Sequence, residues 1–116
     1  MLTVSKAPPQ EKRKHPRISV NIPAVYRSAS LTVDLYVVNL SQSGAFLACP
    51  VLDVGGAVGE ILLTLPGQLN PLVLHGRVVW THHLPPRSGM GFIFTELERD
   101  HRLSLANFLI ARYCNG

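Results

Sequence analysis

The stretch that decides the fold is residues 31–49, LTVDLYVVNLSQSGAFLAC. Leu31 to Val38 is rich in Val and Leu, and Ala45 to Cys49 is a second apolar run. Between them lies Asn39 to Gly44, composed largely of Asn, Ser and Gly, which are common turn formers. The pattern predicts two β-strands joined by a turn.

Further strands are predicted on both sides of this pair. Before it, Ile18, Val20 and Ile22 alternate with Ser, Asn and Pro, and the strand-like pattern continues to Tyr26. After it, runs separated by Gly, Pro and Asn turn signals predict strands at Val58 to Leu65, Leu72 to Thr81 and Gly89 to Thr95.

The hydrophobic period changes after the sixth strand. Leu105, Phe108 and Leu109 fall at helical spacing, and the pattern continues to Tyr113 before Asn115-Gly116 ends it. Short strands separated by turn signals predict an all-β fold, either a closed antiparallel barrel or a sandwich. We expect the helix at the end to cap an open edge.

The N-terminal arm, Gln10 to Arg17, has the sequence QEKRKHPR and no apolar side chain that could anchor it. Pro16 makes a regular helix through the arm improbable, because it pushes His15 toward extended geometry. In an extended chain, Arg13 and Arg17 point the same way and can converge on one ligand. Since a guanidinium can donate two parallel hydrogen bonds to a phosphate or to the O6/N7 edge of guanine, the arm predicts an anion clamp.

The net charge of +4 lies in residues 1–17, and this arm carries +3 of it. Residues 1–17 contain five Lys or Arg residues and one acid, so the remaining residues are neutral in balance. The barrel body is therefore not a broadly basic nucleic-acid surface, and the expected target is a compact anion.

The arm and the turn together resemble a known family. The RxxxR pattern of Arg13 and Arg17 is followed, twenty-two residues later, by the NxSxxG pattern of Asn39 to Gly44. The pair resembles the PilZ domain, the bacterial receptor module for cyclic di-GMP, and the resemblance extends over residues 11–113. It implies a six-stranded antiparallel β-barrel with a C-terminal α-helix and a flexible N-terminal arm.

The resemblance also implies a set of ligand-binding residues. Arg13 and Arg17 would take phosphate and the guanine Hoogsteen edge, and the second motif would hold guanine. Asn39 and Ser41, two apart in an extended chain, are expected to form one polar platform. Gly44 suits the turn because glycine adopts positive φ without strain and lets a ligand approach the backbone.

Two more residues are candidates for the same site. Lys12 could contact phosphate as a point charge. Trp80 lies near the end of the fifth strand, where some PilZ domains place an aromatic ring against a guanine face. Trp80 also shares the parity of Leu74 and Val78, so a buried or rim tryptophan is the alternative prediction.

Other classes of protein fit the sequence less well. There is no apolar run long enough to span a membrane and no secretory signal, so a cytoplasmic protein is expected, with a disordered leader at residues 1–10 and a single domain at 11–116. Cys49 and Cys114 form no disulfide framework, and no His or Cys pair has zinc-site spacing. We expect no enzyme activity, no metal and no cofactor.

The resulting hypothesis is a non-catalytic cyclic di-GMP receptor. The arm orders over the ligand and presents a new surface to an unidentified regulatory protein partner. The first alternative is a PilZ adaptor that binds a protein without the nucleotide, although such domains typically lack the arginines or the second motif. The second is a nucleic-acid-binding barrel, which the neutral body and the scarcity of aromatic residues disfavour.

Overall fold

A computed structural model describes residues 17–85 and 87–115. The strands close into an antiparallel barrel in the order β1-β2-β3-β6-β5-β4, which confirms the predicted six-stranded barrel with a C-terminal helix. The predictions for the leader and for Lys12 and Arg13 lie outside the described residues. The elements are β1 (Ile18–Ser28), β2 (Thr32–Leu40), β3 (Gly44–Ala48), β4 (Val58–Leu63), β5 (Leu72–His82), β6 (Gly89–Glu96) and α1 (Arg99–Asn115).

Some element boundaries differ from those the sequence predicts. β2 continues to Leu40, so Asn39 belongs to the strand and not to the turn. β4 ends at Leu63, whereas the apolar run continues to Leu65. Leu65 follows the strand but is fully buried, so the apolar run is longer than the strand. The helix begins at Arg99, ahead of the predicted apolar positions, because its first turn is polar and carries no apolar period.

The barrel interior is filled by the alternate residues of each strand. In β1, for example, Ile22, Ala24 and Tyr26 are buried while Pro23 between them is exposed. α1 adds Leu105 and Leu109 to the same core and packs against β1 and β5. The core therefore lies inside the barrel and continues beneath the helix.

A side chain of the helix also contacts the backbone of β5 beyond the point where β6 ends. β6 ends at Glu96, across from His75, so Val73 extends past the end of β6. His101 Nδ1 lies 3.2 Å from the Val73 amide nitrogen and 3.3 Å from its carbonyl oxygen. His101 Nε2 is 3.4 Å from Glu98 Oε1, which orients the ring. The expected capping of an open edge is thus present, and a histidine performs it.

At the opposite end of the barrel a buried carboxylate fixes the loop after β3. Asp53, 6% exposed, accepts hydrogen bonds from Tyr26 Oη (2.8 Å), Ser28 Oγ (2.6 Å), Ser30 Oγ (3.0 Å) and the Val54 amide (2.9 Å). Burial raises the pKa of Asp53, but these hydrogen bonds outweigh burial and hold the pKa below its ordinary value. Burial and the hydrogen bond to Asp53 raise the pKa of Tyr26 to about 12, so Tyr26 remains a donor.

Candidate ligand-binding site

The turn between β2 and β3 is held together by Ser41. Its amide donates to the Gly44 carbonyl oxygen (2.9 Å), and its Oγ accepts from the amides of Ser43 (3.1 Å) and Gly44 (3.2 Å). The Phe94 amide donates to the Ser43 carbonyl oxygen (2.9 Å), which ties the turn to β6. Because Ser41 is only 3% exposed and its hydroxyl is used inside the turn, it does not share one outward platform with Asn39 as expected.

Gly44 is required for a reason other than the predicted one. The glycines with positive φ in the described chain are Gly56 and Gly67, and Gly44 is not among them. A Cβ at Gly44 would lie 2.5 Å from the carbonyl oxygen of Phe92 on β6. Close approach of two strands therefore excludes a side chain here, and the expectation of positive φ is wrong.

The cross-strand register places five residues in one row over β1, β2, β3, β6 and β5. Each residue pairs with the next, and the row comprises Ser19, Asn39, Phe46, Gly91 and Trp80. We call this set the outer row, because the chain neighbours Leu40, Leu47 and Phe92 are buried in the core. Two residues that are far apart in sequence, Asn39 and Trp80, thus lie on one face of the barrel.

Asn39 holds an acceptor with no partner. Its Oδ1 is buried, and residues 17–85 and 87–115 supply no hydrogen bond to it. A buried acceptor left unpaired costs about 1–3 kcal/mol, so an atom of this kind calls for an explanation. A donor supplied from outside the described residues, by a ligand or by the arm, would satisfy it.

Trp80 is exposed and stacks on a neighbouring aromatic. The rings of Trp80 and Phe46 lie 5.3 Å apart at 16°, and Trp80 is 45% exposed. The pairing of β5 with β6 shifts register between Val78 and Trp80, which turns Trp80 away from the buried face of Leu74 and Val78. Of the alternative prediction, a buried or rim tryptophan, the buried position is therefore wrong and the rim position agrees with a ring that is partly exposed near the end of β5.

Two glycines of β6 make room for this aromatic pair. A Cβ at Gly89 would lie 2.3 Å from Phe46 Cζ, and a Cβ at Gly91 would lie 2.3 Å from Trp80 Cε2 and Nε1. The rings therefore lie in a trough formed by bare backbone. Phe46, Gly89 and Gly91 are not among the predicted site residues, although two glycines spaced by two in a strand are a signal of close approach.

The last arginine of the RxxxR motif lies beside the turn. Ile18 pairs with Leu40, and continuing this antiparallel register by one position places the exposed Arg17 opposite Ser41. The start of β1 and the β2–β3 turn thus meet at the end of the barrel that α1 covers. Arg13 and Lys12 lie outside the described residues.

Other kinds of site are not formed in the described chain. Among residues 17–85 and 87–115, no group of three or more His, Cys, Asp or Glu is placed to hold a metal ion. No helix in these residues has the length and apolar character to cross a membrane.

The chain matches the model of one protein family over most of its length. The family model described as the PilZ domain matches residues 11–111, a span that contains both motifs and the whole barrel. The chain belongs to the PilZ domain family. Among proteins of curated function, none is similar enough in sequence to match this PilZ chain.

Solved structures with the same fold include other PilZ domains. The inhibitor of motility MotI/DgrA of Bacillus subtilis has a TM-score of 0.76 at 15% identity, and the match covers 90% of this chain and 52% of that one. The PilZ domain of YcgR from Escherichia coli with cyclic di-GMP has a TM-score of 0.65 at 15% identity, covering 90% and 93%. The PilZ domain of CeSA from a cellulose-synthesising bacterium has a TM-score of 0.63 at 23% identity, covering 83% and 96%.

Proposed function

We propose that this PilZ protein is a non-catalytic receptor that binds cyclic di-GMP at the β2–β3 turn and the outer row. The observation that carries the proposal is the buried, unpartnered Oδ1 of Asn39, the first residue of the NxSxxG motif. A guanine N1–H or N2–H donates to an oxygen of this kind. Membership in a family of cyclic di-GMP receptors supports the same ligand.

Each motif residue has a distinct role in this proposal. Arg13 and Arg17 bind phosphate and the Hoogsteen edge of guanine, as two guanidinium forks on one strap. Ser41 builds the turn through its bonds to the backbone, and Gly44 keeps β3 close to β6. Asn39 then receives the guanine edge beside the strap, since it pairs with Ser19, two residues after Arg17.

Two more residues extend the contact. The exposed face of Trp80, held by Phe46 on one side, offers a surface on which a base stacks, and such stacking is worth about 1–3 kcal/mol by substitution. Lys12, next to Arg13 in sequence, adds a positive point charge near the phosphates.

The signal is proposed to be the closure of residues 10–17 over the bound nucleotide. The strap carries much of the excess positive charge of the chain, and the ligand supplies the negative charge that holds it against the barrel. The strap, the ligand and the barrel rim then form one surface that a regulatory protein partner can bind. No chemical step on the ligand is required for this mechanism.

Calorimetric titration with cyclic di-GMP tests the receptor function. We expect saturable binding by the wild-type protein, no binding of GTP at the same concentrations, and strongly weakened binding by Arg13→Ala and Asn39→Ala. Asn107→Ala is a matched control, because it removes the same amide from an exposed position on α1. Its affinity should equal that of the wild-type protein.

The opposite results have definite meanings. Failure of the wild-type protein to bind would contradict the receptor function and favour the adaptor alternative, in which the domain contacts a protein without the nucleotide. Binding that survives in both motif variants would show that the ligand occupies another part of the barrel.

A further inference from the structure

A further arginine lies on the same face of the barrel as the outer row. On β6, Gly91 and Ile93 both face outward, since Phe92 between them is buried. Gly91 pairs with Trp80 of β5, and Ile93 pairs with Arg77 of the same strand. In the pairing of β5 with β6, Arg77 is therefore one outward-facing row away from Trp80. It lies on the side of Trp80 that is nearer the β2–β3 turn and Arg17.

The surface between Arg77 and the turn carries little side-chain bulk. Ile93 pairs with Gly44 on its other side, so the path from Arg77 to the turn crosses one isoleucine and one glycine. Ile93 is 43% exposed and forms an apolar floor. A flat ligand lying on this floor would have Trp80 and Arg77 along one side and the turn along the other.

Arg77 has no counterion within the described chain. Its cross-strand neighbours are the apolar residues Val58 on β4 and Ile93 on β6. The row through His75, two residues along β5, contains the carboxylates of Glu60 and Glu96, and Glu60 already accepts two hydrogen bonds from Arg27, at 2.6 and 3.0 Å. In residues 17–85 and 87–115, Arg77 forms no ion pair.

We infer that Arg77 is a further ligand-binding residue, which donates hydrogen bonds to a phosphodiester of the bound cyclic dinucleotide from β5, across β6 from the β2–β3 turn. The inference rests on the proposed function, because it assigns a role within the same site. Neither of the two sequence motifs includes this residue. The guanidinium of an exposed arginine with apolar neighbours is not occupied by a carboxylate of the same chain. Its planar geometry suits a phosphate as the partner.

Calorimetric titration with cyclic di-GMP of wild type, Arg77→Met and Arg77→Lys tests the role. Arg77→Met keeps an unbranched side chain without the guanidinium and should raise the Kd about tenfold or more, the effect of losing a charge-assisted hydrogen bond. Arg77→Lys should recover part of the loss, since it restores the charge without the fork. Arg87→Met is the matched control, because Arg87 is exposed in the β5–β6 hairpin at the other end of the barrel.

Urea unfolding of the ligand-free variants separates binding from folding. Arg77 is exposed, so Arg77→Met should unfold at the same urea concentration as the wild type. Equal affinities of the wild type and Arg77→Met would overturn the role of Arg77 and leave the proposed function intact. Failure of the wild type itself to bind would overturn the proposed function, and this inference with it.

Discussion

At the scale of the residue, buried polar atoms divide into satisfied and unsatisfied ones, and the two kinds serve different purposes. Asp53 is buried with donors on both carboxylate oxygens, and it connects the loop after β3 to β1. Asn39 is the reverse case, with a buried oxygen that no described residue serves. The first residue therefore contributes to stability, whereas the second has an unpaired oxygen for which we propose the ligand as the partner.

The contribution of Asp53 should depend on pH. Its folded-state pKa is depressed, so its stabilising effect is present above the ordinary value of 3.8 and is lost as the pH falls through the folded-state pKa. We expect Asp53→Asn to lower the free energy of unfolding by about 1.5–3 kcal/mol at neutral pH, and the difference from wild type to shrink in acid. Urea unfolding across the acid range measures it.

Comparing the wild type with Asp53→Asn cancels the pH dependence that the other acidic residues give to the free energy of unfolding, because those residues titrate in both proteins. A difference that stays constant from neutral to strongly acidic pH would contradict the assigned role of the Asp53 carboxylate.

At the scale of the element, β6 acts as the floor for the aromatic pair. Its residues Gly89 and Gly91 leave space on the outer surface, while Met90 and Phe92 fill the core on the other side. One strand thus serves the barrel and the candidate site at once, through the alternation of its side chains. The position of Trp80 depends on this strand as much as on β5.

Gly91→Ala should displace Trp80 without unfolding the barrel. The new methyl group would meet the Trp80 ring, which is partly exposed and can move, so we expect a stability loss of about 1–3 kcal/mol. Trp80 is the only tryptophan in the chain, and its fluorescence emission and near-ultraviolet circular dichroism report the displacement directly. Cyclic di-GMP binding should weaken in parallel.

Gly55→Ala is the control for this substitution, because no atom lies within 4 Å of a Cβ built there. An unchanged tryptophan spectrum in Gly91→Ala would show that the ring does not depend on the trough.

At the scale of the whole molecule, the positively charged N-terminal residues precede a strand that begins at the same end of the barrel as the β2–β3 turn. The excess positive charge lies in residues 1–17, and β1, which follows directly, begins beside the β2–β3 turn. α1 covers the same end and contributes Leu105 and Leu109 to the core. In the proposed function, cyclic di-GMP therefore binds at the end of the barrel that α1 covers, and closure of the strap there forms the surface for the partner protein.

Closure of the strap predicts a change in hydrogen exchange. Amides of residues 10–17 should exchange more slowly when cyclic di-GMP is bound, because the arginines become held against the ligand. Mass spectrometry of exchange with and without the nucleotide measures this, and Asn39→Ala at the same nucleotide concentration should show little protection. Unchanged exchange in a sample whose calorimetry shows full binding would rule out the closure mechanism.

The sequence by itself determined the class of the fold and the family. The alternation in β1, the apolar runs on either side of the β2–β3 turn and the helical period after β6 are local signals, because each depends on residues a few positions apart. The RxxxR and NxSxxG motifs are each equally local, and together they indicated the PilZ family, which the match over residues 11–111 confirms. The ligand roles of the motif residues stay predictions.

Tertiary structure alone decided which residues share a face. The bulge before Trp80 reverses the face that strict alternation assigns to it, and the approach of β3 to β6, not a positive φ, excludes a side chain at Gly44. The neighbourhood of Arg77 and Trp80 across from Asn39 follows from the pairing of β3 with β6, two strands that are distant in sequence. Such pairings depend on register over the whole sheet, and no local pattern carries that information.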